Sequence, residues 1–252
     1  MKSFIKSYWK TLLFFTIVGA VGGFGVGFYL LDGYPEDMVQ ELLAQGMTPV
    51  LLALVTAVQS AGYGLVLGAV GIWLAKKTGL WRDERSIGGK PLLCTVIISV
   101  LGGLALILPD VFFFGKHIPA VAESYAAKPT IPYLIATVTY GAVIEEIMLR
   151  LFLMSLIVFL LWKLFQPKRE KPSTAIVVCA NVVAALLFAA GHLPTTAVMM
   201  GLTPMIVFRC FLLNGTFGLA FGWLYRKYGL RYAMLAHGGC HIVSKLIWIL
   251  WL

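Results

Sequence analysis

The stretch YGAVIEEIMLR, residues 140–150, sets Glu145, Glu146 and Arg150 inside an apolar run that extends from 131 to 163. Two carboxyl groups beside a cation are the raw material either for general acid–base chemistry or for a buried ion pair. Similar material recurs further on: FAAGH ends on His192, HGGCH holds His237 and His241 four residues apart, and Arg209 lies in another apolar run. At bilayer depth an ionisable side chain costs from about 2.5 kcal/mol on insertion scales to more than 10 in simulations, so each needs a partner or a task.

Helical geometry sorts these residues. Side chains four apart share a face, so Glu146 and Arg150 can pair while Glu145 points about 100° away, free to serve as a base for water. The competing reading is structural, with both glutamates paired to Arg150 and Arg209 to fasten helices together. His237 and His241 also share a face; they have the geometry of two metal ligands on one turn, or of a hydrogen-bonding device between helices. Between them, Gly238 and Gly239 bare the turn to a substrate backbone or a neighbouring helix. His192 alone reads as a polar residue at the end of a span, but in the company of the glutamates and the other histidines it joins an inventory able to activate water in a membrane cavity. His117, beside Lys116 in a loop, has nothing to converge on.

The elements that must position these groups are transmembrane helices. Of 252 residues, 60% are hydrophobic and 12% charged, and the mean hydropathy is +0.90. That excludes an ordinary soluble domain and implies an all-α, polytopic helix bundle of about seven spans (six to eight) around a polar cavity. Spans are expected at roughly 11–31, 48–75, 91–109, 131–163, 173–192, 205–225 and 232–252. The run 131–163 is long for one perpendicular crossing, about 50 Å against a core of about 30 Å, so it is one tilted or kinked helix or a span with a helix that turns back. The apolar loop 193–204 is a place where the chain could re-enter the membrane. One membrane domain, 1–252, is expected, with 1–130 supplying helices that carry no motif and 131–252 forming the core.

Most of the 20 basic residues, among them Lys2, Lys76, Arg85, Lys168 and Arg226, fall on one side of this topology, while Asp32, Glu36, Asp110 and Glu123 fall on the other. The basic side is cytoplasmic by the positive-inside rule, which places the N-terminus there. The +9 charge is spread over separate loops, so it gives no reason to invoke nucleic acid and instead favours anionic lipid headgroups. The N-terminal run is read as a retained helix, because it is long and lacks a small-x-small cleavage site. Gly19, Gly23 and Gly27 on it suit close helix packing. Cys94, Cys179, Cys210 and Cys240 lie in spans without metal-ligand spacing and are expected to be small buried residues. Ser173 and Thr174 close a polar linker and can cap the following helix.

In this order on successive apolar segments, EEIMLR, FAAGH and HGGCH resemble the three motifs of the CAAX-protease and bacteriocin-processing (CPBP) family of intramembrane endopeptidases. The resemblance covers about residues 130–245, and the run RCFLLNGTFGLAFGWLYRKYGLRYAMLAH is similar to the bacterial branch. It implies a protease in a plasma membrane that cleaves a membrane-associated peptide or protein, either a prenylated CAAX-type tail or a leader peptide. Carried over residue by residue, it implies Glu145 as the base, His192 as a holder of the water, and His237 and His241 as oxyanion donors. Glu146 and Arg150 then support the base, with Phe188 as the motif's aromatic residue.

Position 241 departs from the family, which has Asn or Asp there. With Glu145, His192 and His237, His241 would complete a set of zinc ligands, so a metalloendopeptidase and a metal-free glutamate protease both stay open at this point. Two other readings stand beside the protease: a proton-coupled transporter relaying protons through the same residues, and a non-catalytic immunity or scaffold relative.

Overall fold

The computed structural model describes residues 2–82 and 88–252, and among them seven helices are long and apolar enough to cross a membrane. They are α1 (Ser3–Gly33), α3 (Pro49–Thr78), α4 (Gly89–His117), α6 (Ile131–Phe165), α7 (Thr174–Met200), α8 (Pro204–Tyr228) and α9 (Leu230–Trp251). Two shorter helices, α2 (Glu36–Ala44) and α5 (Pro119–Glu123), lie in the connections. The all-helical bundle expected from hydropathy is therefore the fold. Arg85, one of the residues behind the expected orientation, lies outside the described residues, as does the side chain of Lys2.

Helix starts follow from the sequence. Thr48, Thr130, Ser173 and Thr203 each accept a hydrogen bond from the backbone N–H three residues on, and prolines at 49, 132 and 204 sit where a helix has no carbonyl for them to satisfy. The cap expected at Ser173 is thus formed.

The long run at 131 is one continuous helix. Within α6 the backbone opens into wide π turns over Thr137–Glu145 and Ile147–Met154, flanking Glu146. Further wide turns occur at Asp110–Phe114, directly after Pro109, and at Phe211–Gly215. Proline cannot donate to the helical ladder, which gives α4 a local reason to loosen there. The segment after His192 is likewise helical: α7 runs on through Leu193–Met200 past a turn at His192, so the expected apolar loop 193–204 is mostly helix.

Small residues bring the helices close. A Cβ on Gly19, Gly23 or Gly27 would strike Ser60, Thr56 or Ala53 of α3, and Thr56 Oγ1 donates to the Gly23 carbonyl at 2.7 Å. The bare turn of HGGCH is filled by helices: Gly239 packs on Ser99 of α4, and Gly238 faces Ala142 of α6. In lipid there is no hydrophobic drive between helices, so such contacts and the hydrogen bonds they permit hold the bundle. The centre is α6, where Ile144, Ile147, Leu151, Met154 and Val158 are wholly buried, while Ile131 and Leu164 face outward. Cys210 and Cys240 are buried as expected; Cys94 is only half-buried and Cys179 is exposed, so the expectation of buried residues fails for those two.

Candidate active site

Glu146 and Arg150 form the expected pair on α6, Nε to Oε2 at 3.4 Å, with both side chains essentially inaccessible. The approach is off line for a hydrogen bond, leaving Arg150 Nε and Nη1 without one. Arg150 is held instead by charge, by one bond from Nη2 to the Gly218 carbonyl at 3.2 Å, and by ring faces. Its guanidinium carbon lies 4.8 Å from the Phe188 ring centre and 5.7 Å from that of Phe221. Aromatic faces carry partial negative charge, so two of them substitute for missing acceptors.

α9 brings His237 onto this pair. Its Nδ1 bonds Glu146 Oε1 at 3.0 Å; a carboxylate accepts, so Nδ1 carries the hydrogen and the tautomer follows from that bond. Phe221 stacks on the imidazole at 4.6 Å. His237 Nε2 then faces two groups, Glu145 Oε2 at 3.9 Å and His241 Nε2 at 3.2 Å. One histidine Nε2 carries hydrogen and the other accepts it. Among the described residues, buried His241 Nδ1 has no hydrogen-bond partner.

Glu145 differs from its neighbour. Its side chain is a fifth exposed, among the described residues it forms no ion pair with an arginine, and it opens onto a cavity of about 760 Å³. His192, His237 and His241 line the same cavity. His192 Nδ1 donates to the Phe188 carbonyl at 2.8 Å, which leaves its Nε2 lone pair free. The Phe188 ring meets His192 edge-on at 4.8 Å and His237 at 6.1 Å, so the motif's aromatic residue is the plate against which Arg150 and both histidines are set. All the residues expected at the site thus line one cavity or support its wall, although among the described residues His192 makes no hydrogen bond or ion pair with the other four.

His192, where α7 turns, lines the same cavity as Glu145 of α6 and the two histidines of α9. His117 stays apart at the end of α4, bonded only to the Phe113 carbonyl.

The zinc set is not drawn together. Among the described residues no three His, Cys, Asp or Glu side chains are placed to hold one ion, and Nδ1 of His237 is taken by Glu146. That bond leaves His237 Nε2 toward Glu145 and His241, and no step below passes through a metal.

Arg209 does not pair with either glutamate. It grips Asp110 with two nitrogens, Nε to Oδ1 at 2.6 Å and Nη2 to Oδ2, and Tyr125 donates to Asp110 Oδ2 at 2.8 Å. Burial and the adjacent carboxylate hold the Tyr125 hydroxyl well above its ordinary range, so it remains a donor. The structural alternative for Glu145 loses its cation here. Asp110 was expected in an external loop; its signal in the sequence is a lone acid after Pro109 in LILPDVFFF. Asn214, on the wide turn of α8, and Lys245 also line the cavity without having been singled out.

No curated protein and no solved structure matches the chain. A family model, described as Type II CAAX prenyl endopeptidase Rce1-like, matches residues 127–243, the segment that holds all three motifs. The resemblance read from the motifs is borne out: over residues 127–243 the chain is similar to the Rce1-like CAAX prenyl endopeptidases.

Proposed function

We propose that this protein hydrolyses a peptide bond of a membrane-associated substrate with water activated by Glu145. The observation that carries the reading is the unequal treatment of two adjacent carboxylates: Glu146 is buried against Arg150 and His237, whereas Glu145 opens onto the cavity and, among the described residues, pairs only with His237, at 3.9 Å. Glu145 takes a proton as the water oxygen bonds to the scissile carbonyl carbon. The resulting oxyanion is met by an Nε2–H of the His237–His241 pair, which leaves its partner histidine for it. As the C–N bond breaks, the proton held by Glu145 passes to the leaving nitrogen. His192 Nε2 accepts from the attacking water and orients it. Glu146 fixes the His237 ring through Nδ1, and Arg150 pairs with Glu146 in its buried position.

His241, in place of the family's Asn or Asp, keeps an N–H donor within this scheme, which favours an active enzyme over an inactive relative. The substrate class follows the family: a prenylated CAAX-type tail, with a leader peptide as the alternative, presented from the cytoplasmic side of a bacterial plasma membrane.

The test is purified protein in vesicles with an S-prenylated reporter peptide and mass analysis of the products. Wild type should yield one new terminus and Glu145→Gln none. If Glu145→Gln cleaves at the wild-type rate, the assignment is lost.

A further inference from the structure

Lys245 stands on α9 one turn beyond His241 and two beyond His237, with its side chain in the wall of the same cavity. It lies past the segment matched by the family. Among the described residues its ammonium forms no ion pair or hydrogen bond. It rests 4.7 Å from the Tyr133 ring centre and 5.2 Å from that of Trp248. The acid whose charge reaches it, Asp110, is already occupied by Arg209 and Tyr125. A half-buried cation framed by aromatic rings, with no anion of its own, is a receptor for one.

The ligand's class follows from distance and from what lies beyond. Eight residues of helix separate His237 from Lys245, about 12 Å, and an extended peptide covers that in three to four residues at about 3.3 Å each. Past Lys245 the wall is laced together: Trp248 Nε1 donates to the Tyr125 carbonyl at 3.3 Å, and Lys128 Nζ reaches the Ile249 carbonyl at 3.0 Å. A chain running from the histidines toward Lys245 meets that wall, and what it can offer there is its own end.

Resting on the endopeptidase reading, we infer that Lys245 binds the free C-terminal carboxylate of the substrate and so sets the distance from that end at which Glu145 acts. Lys245 is then a specificity-determining residue, and a substrate ending in an amide is rejected.

The experiment separates binding from cleavage. A dye-labelled, S-farnesylated peptide with three residues after the modified cysteine is made as free acid and as C-terminal amide. Binding of each is measured by anisotropy to the full chain in neutral phosphatidylcholine vesicles, on the Glu145→Gln background. The acid should bind roughly 10- to 100-fold tighter, the range for one charge-assisted contact. Lys245→Gln should bring that ratio near one, and Lys245→Arg should keep most of it. Equal binding of acid and amide overturns the inference, as does a ratio that survives in Lys245→Gln. If added phosphatidylglycerol competes with the acid only when Lys245 is present, while acid and amide bind alike, the residue takes a lipid phosphate and the inference is likewise overturned. An acid preference in binding, without cleavage of either peptide by wild type, would sink the endopeptidase reading while leaving the carboxylate site standing.

Discussion

Among the described residues two acid–arginine pairs lie in this bundle, and they are built in opposite ways. Asp110 is saturated: two nitrogens of Arg209 and the Tyr125 hydroxyl occupy both of its oxygens. Around Arg150 there are two carboxylates for one guanidinium, the ion pair is misaligned for hydrogen bonding, and the balance is made by phenyl faces and a histidine. The first arrangement leaves no spare capacity and ties α4, α8 and the α5 connection together. The second leaves one carboxylate, Glu145, with its capacity unused at the edge of a cavity. Chemistry needs unspent acceptors, and a fastener does not.

The sharpest way to break this comparison is Glu145→Gln against Asp110→Asn. Glu145→Gln should lower kcat by about 10²- to 10⁴-fold, the usual worth of a general base, while the thermal midpoint in detergent stays close to wild type. Asp110→Asn should do the reverse, costing several kcal/mol by leaving Arg209 buried beside a neutral amide, with a smaller loss of turnover per folded molecule. Activity and melting curves on the same preparations check both; equal losses in the two variants would mean the distinction is wrong.

Next in size is Arg150→Met, which strands Glu146 and should cost about 3–5 kcal/mol of stability. The double variant Glu146→Gln with Arg150→Met should recover part of that, because no uncompensated charge then remains buried; thermal unfolding of the set reads the recovery. A smaller effect is expected from His241→Asn, which restores the family's residue and keeps a donor: turnover should stay within about tenfold of wild type. The smallest is Tyr125→Phe, which removes one of three contacts to Asp110 and should cost about 1–3 kcal/mol, read as a modest drop in midpoint with cleavage retained.

Legibility differed among these parts for physical reasons. Spans, caps and the Glu146–Arg150 pair depend on residues within one or two turns of each other, and helical periodicity makes such relations readable. The glycines of α1 were also readable as a packing face, since close approach needs the absence of a side chain whichever helix arrives. By contrast, nothing local to Arg209 says that its partner is Asp110, 99 positions earlier, and hydropathy assigned that acid to a loop. The wide turns of α6 were illegible too, because the choice between α and π hydrogen bonding is made by what the helix packs against as well as by its residues.

By itself, then, the sequence determined that this chain lives in a membrane, that three motifs bring carboxylates and histidines to bilayer depth, and that Glu146 shares a face with Arg150. Only the tertiary structure decided that Glu145 is the carboxylate left open, that His237 links the glutamates to His241, that His192 stands apart within the same cavity, and that Lys245 looks into it unpaired. Spacing along one helix is a property of the chain; the partner a side chain meets across the bundle is a property of which small residues let which helices touch.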